Sequence, residues 1–312
     1  MHAGPAGKIP TLVPPLPDTA VAHPRPSPSP STTAARVTDD ILPPVSASVV
    51  RFTKRHEDVH FMNLILFEEQ TDVLRLADAD PRAQHIRKVL KMGVGDELYV
   101  GVIDGVRGKA RITKSAPGFL EFEVFWEDEV PQLQPLILLV GLPRPQTARV
   151  ILREGASLGF EKILFFGAEK GEPSYAQSKL WKDGESHELL KLGAAQAFNT
   201  RLPEVTHRDS LLQALQDELL APSCRIALDL YEAGISLAES PLRLPAILAI
   251  GAERGWSSTE RDALRASGFT FAHLGDRVLR SETACLAAGA ILLANGGGMT
   301  SGWGQKCDNA IE

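Results

Sequence analysis

Two short runs near the carboxyl terminus collect residue types that handle small polar ligands. In the first, AIGAERG, an apolar strand pattern ends on Gly251, and Gly251 and Gly255 bracket Glu253 and Arg254. Glycine there lets the backbone approach a ligand at the carboxyl end of a strand, where open parallel sheets bind small molecules. The same turn can also be a plain chain reversal. In the second, HLGDRVLRSETA, Arg277, Arg280, Glu282 and Thr283 gather at the head of an apolar helix that Ser281 is placed to cap. Its plain alternative is an exposed Arg–Glu pair beside a helix cap. Between them, Ala246 to Ala284 offers two loops that could close on one ligand.

The familiar cradles for other chemistries are missing. The first strand of the α/β pattern runs into LILLVGLPRP, a single glycine followed by prolines, so no G-x-G-x-x-G dinucleotide turn is present. Neither GAEKGEPS nor GAERGWSS ends in the Gly-Lys-Ser/Thr of a phosphate-binding loop, and no G-x-S-x-G or H-E-x-x-H occurs. Cys224, Cys285 and Cys307 are odd in number and widely spaced, which fits a reduced compartment and no metal site. Cys285, inside ACLAAGAILLA, reads as a small buried hydrophobe rather than a nucleophile.

These loops need a scaffold, and 312 residues at 44% hydrophobic content can supply two folded domains. The net charge of −6 gives no general attraction to nucleic acid, so RNA binding needs a local basic face. No run approaches the roughly 20 apolar residues of a membrane span, and the start lacks a secretory apolar core. Residues 1–61 are Pro, Ser, Thr and Ala rich without periodicity and are expected to be a disordered leader. A cytoplasmic location is the simplest expectation, with an organellar targeting role for the leader left open. Folded patterning starts at Met62, which could be the biological start.

From 62 to 132, short alternating stretches with Gly and Asp at the breaks (NLILFEE, DELYVGVID, KARITK, FLEFEVFWED) predict a small β-barrel or β-rich module. Between them DPRAQHIRKVLKMGVGD predicts a short helix carrying Arg82, His85, Arg87, Lys88 and Lys91. Arg107, Lys109, Arg111 and Lys114 follow on the next hairpin. Their separation from the acidic EFEVFWEDE suggests a phosphate-binding face; ordinary solvated charge is the alternative. From 135 to 296, LILLVGL, KILFFG, CRIALDLYE, PAILAIGAE and FTFAHLG alternate with helical patterns, the βαβ rhythm of a parallel sheet. Ser257 and Glu260 have capping-box spacing. Residues 297–312 are Gly-rich and expected to be loose.

The order of VLKMGVGD, GLPRPQTARVILREGASLGFEKI, AIGAERGWSSTE and LGDRVLRSETA resembles the small-subunit (16S-type) ribosomal RNA uridine-N3 methyltransferases of the SPOUT superfamily, from about Met62 to Asn295. That family usually has Gly-Pro-Glu-Gly-Gly where this chain has Gly251-Ala252-Glu253-Arg254-Gly255. Its Arg-x-Leu-Arg-x-Glu-Thr-Ala run is matched by Arg277 to Ala284. The resemblance implies a PUA-like RNA-binding module followed by a trefoil-knotted α/β methyltransferase domain, a homodimer with its site near the subunit interface, and S-adenosylmethionine as methyl donor. General topology rules would not predict the knot. Carried over by position, Gly251, Glu253, Gly255, Leu274, Gly275, Val278, Leu279 and Thr283 hold the cofactor, and Arg280 and Glu282 do the chemistry. Arg82, His85, Arg87, Lys88 and Lys91 grip the RNA.

That chemistry is methyl transfer to N3 of a uridine in small-subunit rRNA, free or in the assembled subunit. The weakly acidic N3–H must be removed, the anion stabilised, and nitrogen, methyl carbon and sulfur aligned. Arg280 is expected to stabilise the uridine anion or a nearby phosphate, and Glu282 to orient Arg280 or accept the proton; Glu253 serves the cofactor or caps its own loop. The sequence departs from the family at Ser157, where an acidic residue is usual, and at Ala195 to Asn199, where Glu-Gln-x-x-Arg is usual. These departures, with Ala252 and Arg254, mark a divergent branch. They leave open a catalytically silent RNA-binding or ribosome-assembly protein, or a methyltransferase with another RNA target.

Overall fold

The computed structural model describes residues 64–216 and 224–299. The expected leader with Met62, Cys307 and the tail from residue 300 lie outside the described residues. The described part builds two sheets within one compact unit.

The first sheet contains β1 (Ile65–Phe67), β2 (Val73–Ala77), β3 (Glu97–Val102), β4 (Arg107–Ala116) and β5 (Phe119–Trp126), in the order β1-β3-β4-β5-β2. The alternating pattern sends Leu74, Leu76, Ile112, Leu120, Phe122 and Val124 inward, where Ala83 and Ile86 of helix α1 (Pro81–Lys88) complete the core. Asp80 caps α1 by accepting the Arg82 N–H at 2.8 Å, and Pro81 takes the first helical position, which has no use for an N–H. The Arg82 guanidinium on its side chain holds the Asp80 carboxyl below the usual carboxylate range. The expected β-rich, PUA-like module is present as a curled half-barrel, with β1 and β2 at its two edges and not paired with each other. The three-residue β1 meets the following domain, where the Leu64 N–H donates to Ala195 O at 3.0 Å. An edge covered this way needs no barrel closure.

The second sheet is wholly parallel. In chain order its elements are β6 (Gln134–Gly141), α2 (Pro145–Leu158), β7 (Phe160–Phe166), α3 (Glu185–Gln196), β8 (Glu204–Arg208), α4 (Leu211–Leu215), β9 (Cys224–Leu228), β10 (Ile235–Ser236), β11 (Ala246–Ile250), α5 (Ser258–Ala266), β12 (Thr270–His273) and α6 (Ser281–Asn295). Strand order is β10-β12-β9-β11-β6-β7-β8. Continuous apolar strands such as AILAI are buried on both faces. One face packs Leu138, Val140 and Leu248 against Ile151 and Leu152 of α2 and Cys285 and Leu292 of α6. The other packs Leu139, Ile247 and Ala249 against Leu211, Trp256 and Leu264. Cys285 is therefore a core residue, and burial pushes its thiol pKa up, away from thiolate.

The capping box forms as expected, Ser257 Oγ accepting from Glu260 N at 3.0 Å and Glu260 Oε2 accepting from Ser257 N at 2.8 Å. Ser281 departs from expectation. Arg280 is the N-cap and Ser281 the first helical residue, buried against the site below. The short β10 carries too few residues for a pattern, and the helix expected through DSLLQALQDELL is described only as the five residues of α4.

Both departures from the family pattern have packing roles. Ser157 Oγ donates within α2 and across to α3, at 3.2 Å to Arg153 O and 3.0 Å to Gly193 O. The Ala195 to Asn199 segment and Thr200 seat the first sheet. Phe198 meets the Tyr99 ring edge-on at 4.7 Å, and the fully buried Thr200 donates its hydroxyl to Gly105 O at 2.5 Å.

Candidate functional site

Strands β12, β9 and β11 are adjacent and parallel, so their carboxyl ends, and the turns that follow, lie side by side. Those turns enclose a cavity of about 360 Å³, within the roughly 300–1,000 Å³ of small-molecule sites. Its walls come from Leu228 to Tyr231 after β9, Ile250 to Trp256 after β11, and Leu274 with Arg277 to Leu279 after β12; Ser281 and Ala284, three apart on α6, form the floor.

The turn after β11 is built by its glycines. A Cβ on Gly251 would stand 3.2 Å from the Trp256 ring, and Gly255 sits at φ +70°, left-handed backbone that suits glycine. Trp256 ties this turn to β9 by donating its indole N–H to Leu228 O at 2.8 Å. Glu253 ties it to the β6–α2 connection by accepting the Arg144 N–H at 3.1 Å. The third turn is set by Gly275, at φ +93°, whose N–H donates to His273 Nδ1 at 3.0 Å.

One buried ion pair borders the cavity. The Asp229 side chain is 2% exposed and that of Arg261 14%, with Arg261 Nε donating to Asp229 Oδ2 at 2.5 Å. This hydrogen bond raises the Arg261 pKa further. Asp229 Oδ1 also accepts the Tyr231 N–H at 2.8 Å, which fixes the turn after β9.

Of the residues assigned to the cofactor, Gly251, Glu253, Gly255, Leu274, Val278 and Leu279 line this cavity. Gly275 shapes the turn without lining it, and Thr283 is exposed outside the wall. Arg280 is exposed at the start of α6, and Glu282 is half-buried in the first turn, with no ion pair joining the two. Sequence reasoning missed Asp229, Tyr231, Trp256 and Arg261. The turn after β9 has no glycine motif, and its one signal is an acidic residue closing an apolar strand, as in IALDLYE.

The five cations assigned to RNA divide. Arg82 is held by Asp80 and by Leu66 O at 2.8 Å, over the Phe67 ring. Arg87 is held by Asp78 and the carbonyls of Ala116 and Phe119. Both guanidiniums are thus engaged in fastening the module, whereas His85, Lys88 and Lys91 are exposed and free of ion pairs among the described residues.

Comparison with known proteins extends this picture. Residues 130–293 match the family model described as an RNA methyltransferase domain, and residues 79–125 that of an RNA methyltransferase PUA domain. The chain is 38% identical over 244 residues to Ribosomal RNA small subunit methyltransferase E of Treponema pallidum, covering 75% of this chain and 91% of that protein. It is 29% identical over 238 residues to Ribosomal RNA small subunit methyltransferase E 1 of Borreliella burgdorferi, covering 74% and 97%. The crystal structure of a Ribosomal RNA small subunit methyltransferase E from Neisseria gonorrhoeae bound to S-adenosyl methionine is similar at a TM-score of 0.63 and 22% identity, over 77% of this chain and 100% of that one. At that identity the likeness speaks for the fold. Among the described residues no helix is long and apolar enough to cross a membrane.

Proposed function

The chain belongs to the RNA methyltransferase family that includes ribosomal RNA small subunit methyltransferase E, and we propose that it methylates N3 of a uridine in small-subunit rRNA, with S-adenosylmethionine as donor. Its fold is that of the SPOUT methyltransferases, with a PUA-like module ahead of the α/β domain. The observation that carries the reading is one cavity walled by both sequence motifs, GAERG and LGDRVL.

The residues present suit the donor. Leu228, Ile250, Leu274 and Leu279 offer apolar walls, and the glycine turn lets backbone come close. Bound there, S-adenosylmethionine supplies a methyl group activated by its positively charged sulfur. N3 lies on the pairing edge of uracil, so the nucleotide must be unpaired or extruded to reach the site. Arg280 then stabilises negative charge on the uracil ring as the N3 proton leaves, and Glu282 accepts that proton. The two act on different atoms of the base, so they need no ion pair with each other. As the family resemblance implies, the protein works as a homodimer, with the cavity near the interface.

Deleting the gene in its own organism is expected to abolish N3-methyluridine from small-subunit rRNA, read by nucleoside mass spectrometry, with the mark restored by the intact gene. Retention of the mark would reject the assignment. Calorimetry with S-adenosylmethionine separates this enzyme from a silent scaffold, which would bind none.

The amino-terminal module supplies affinity through the phosphate backbone. Reversing the charge of Lys88 and Lys91 to Glu is expected to weaken binding to small-subunit rRNA. The salt dependence, as log K against log salt, should become shallower by about one to two. Cofactor affinity should not change. Equal RNA affinity in the double variant would remove this face from the RNA interface.

A further inference from the structure

Most large apolar side chains among the described residues are covered, yet the two most exposed of them, Tyr231 at 87% and Val278 at 84%, stand on the rim of the same cavity. Two exposed apolar side chains lining one pocket are more informative than the same side chains scattered singly over the surface. The backbone that carries the ring is held in place. Its backbone N–H is fixed by the buried Asp229 carboxylate at 2.8 Å, and the Arg261 guanidinium, itself locked to Asp229, lies 6.0 Å from the ring centroid. One side of the ring thus meets a cation belonging to the fold, while the remainder faces solvent.

The charge around it identifies what the ring awaits. Arg254 and Arg277 line the rim, exposed and without ion pairs among the described residues, as is Arg280 at the start of α6, while Arg149, Arg153, Arg261 and Arg265 pair with carboxylates. Two free guanidiniums beside an exposed ring match a nucleotide, with its base on the aromatic face and its flanking phosphates on the cations. A cofactor molecule inside the cavity would instead meet the buried walls formed by Ile250, Gly251, Ala252 and Trp256.

We infer that Tyr231 is the platform on which the unpaired target base stacks at the cavity mouth, with Arg254 and Arg277 holding the phosphates on either side and the Asp229–Arg261 pair positioning the ring. The inference rests on the RNA methyltransferase reading above, and its test does not require methyl transfer.

The full-length protein and its Tyr231→Ala and Tyr231→Phe variants would be titrated with small ribosomal subunits lacking N3-methyluridine, by filter binding. Tyr231→Ala is expected to bind roughly tenfold or more weakly and Tyr231→Phe close to the parent, since stacking needs the ring and not its hydroxyl. Calorimetric affinity for S-adenosylmethionine and the sedimentation coefficient should be unchanged. RNA affinity equal to the parent in Tyr231→Ala would overturn the inference. Loss of cofactor affinity would place the ring on the donor, and a smaller sedimenting species would place it at an interface between copies; either result also overturns it. If the parent protein binds the subunits but transfers no methyl group, the enzymatic reading fails, while the stacking result still stands or falls by the binding data.

Discussion

Replacing Arg280 by alanine is expected to lower the rate constant for methyl transfer by about two to three orders of magnitude, the usual effect of removing one preorganised donor from a developing anion. The loss should appear in kcat. The side chain is exposed and does not line the cavity, so S-adenosylmethionine affinity should stay at the parent value. Folding should also survive, because Arg280 caps α6 through its backbone, with its C=O accepting the Ala284 N–H at 2.8 Å, and makes no side-chain capping bond. Arg280→Lys is expected to recover only part of the rate, since a single ammonium does not reproduce a planar fork of donors. Single-turnover transfer to unmethylated small subunits measures this directly. A rate within threefold of the parent would move the anion-stabilising role elsewhere, with Arg277 on the adjacent rim the next residue to test.

Asp229→Ala carries the largest expected cost to stability. It removes the carboxylate from a pair in which both side chains are largely buried, leaving Arg261 with only the more distant Glu232 at 3.5 Å. Stranding a buried charge typically costs about 3–5 kcal/mol, and the second acidic neighbour places this case near the lower end. The acceptor for the Tyr231 N–H is lost as well, so the turn after β9 loses its fixed geometry. A fall in the urea unfolding midpoint, together with weaker binding of both cofactor and RNA, is the expected result. Asp229→Asn keeps the shape and the acceptor and should lose less. Because the pair is shielded from solvent, added salt should change the difference little. A stability change below about 0.5 kcal/mol, the range of ordinary surface substitutions, would show the pair to be idle.

Local chemistry in the sequence was enough to determine the longer elements and their class, though not the short β8 and β10. Asp80 with Pro81 starts α1, Ser257 with Glu260 starts α5, and the continuous apolar runs of β6 and β11 require a sheet covered on both faces. Gly251 and Gly255 marked one cavity wall for the same reason, since their effect acts within their own turn. Whatever depended on neighbours distant in sequence was decided by the tertiary structure. Period-2 alternation is identical in a closed barrel and a half-barrel, and only the strand order, which puts β1 and β2 at opposite edges, decides between them. Arg82 and Lys88 are equally basic in the sequence, yet the first is bound to Asp80 and a carbonyl and the second is exposed.

The opening pair of motifs was sharpened in the same way. Two loops were legible, but the cavity has three, because strand order places β9 between β11 and β12 and so brings Asp229 and Tyr231 to its wall. The sequence by itself determined which turns can approach a ligand, since that follows from backbone freedom and side-chain type. Only the tertiary structure decided which turns share one, because convergence is set by the lateral order of parallel strands, and no local residue pattern records it.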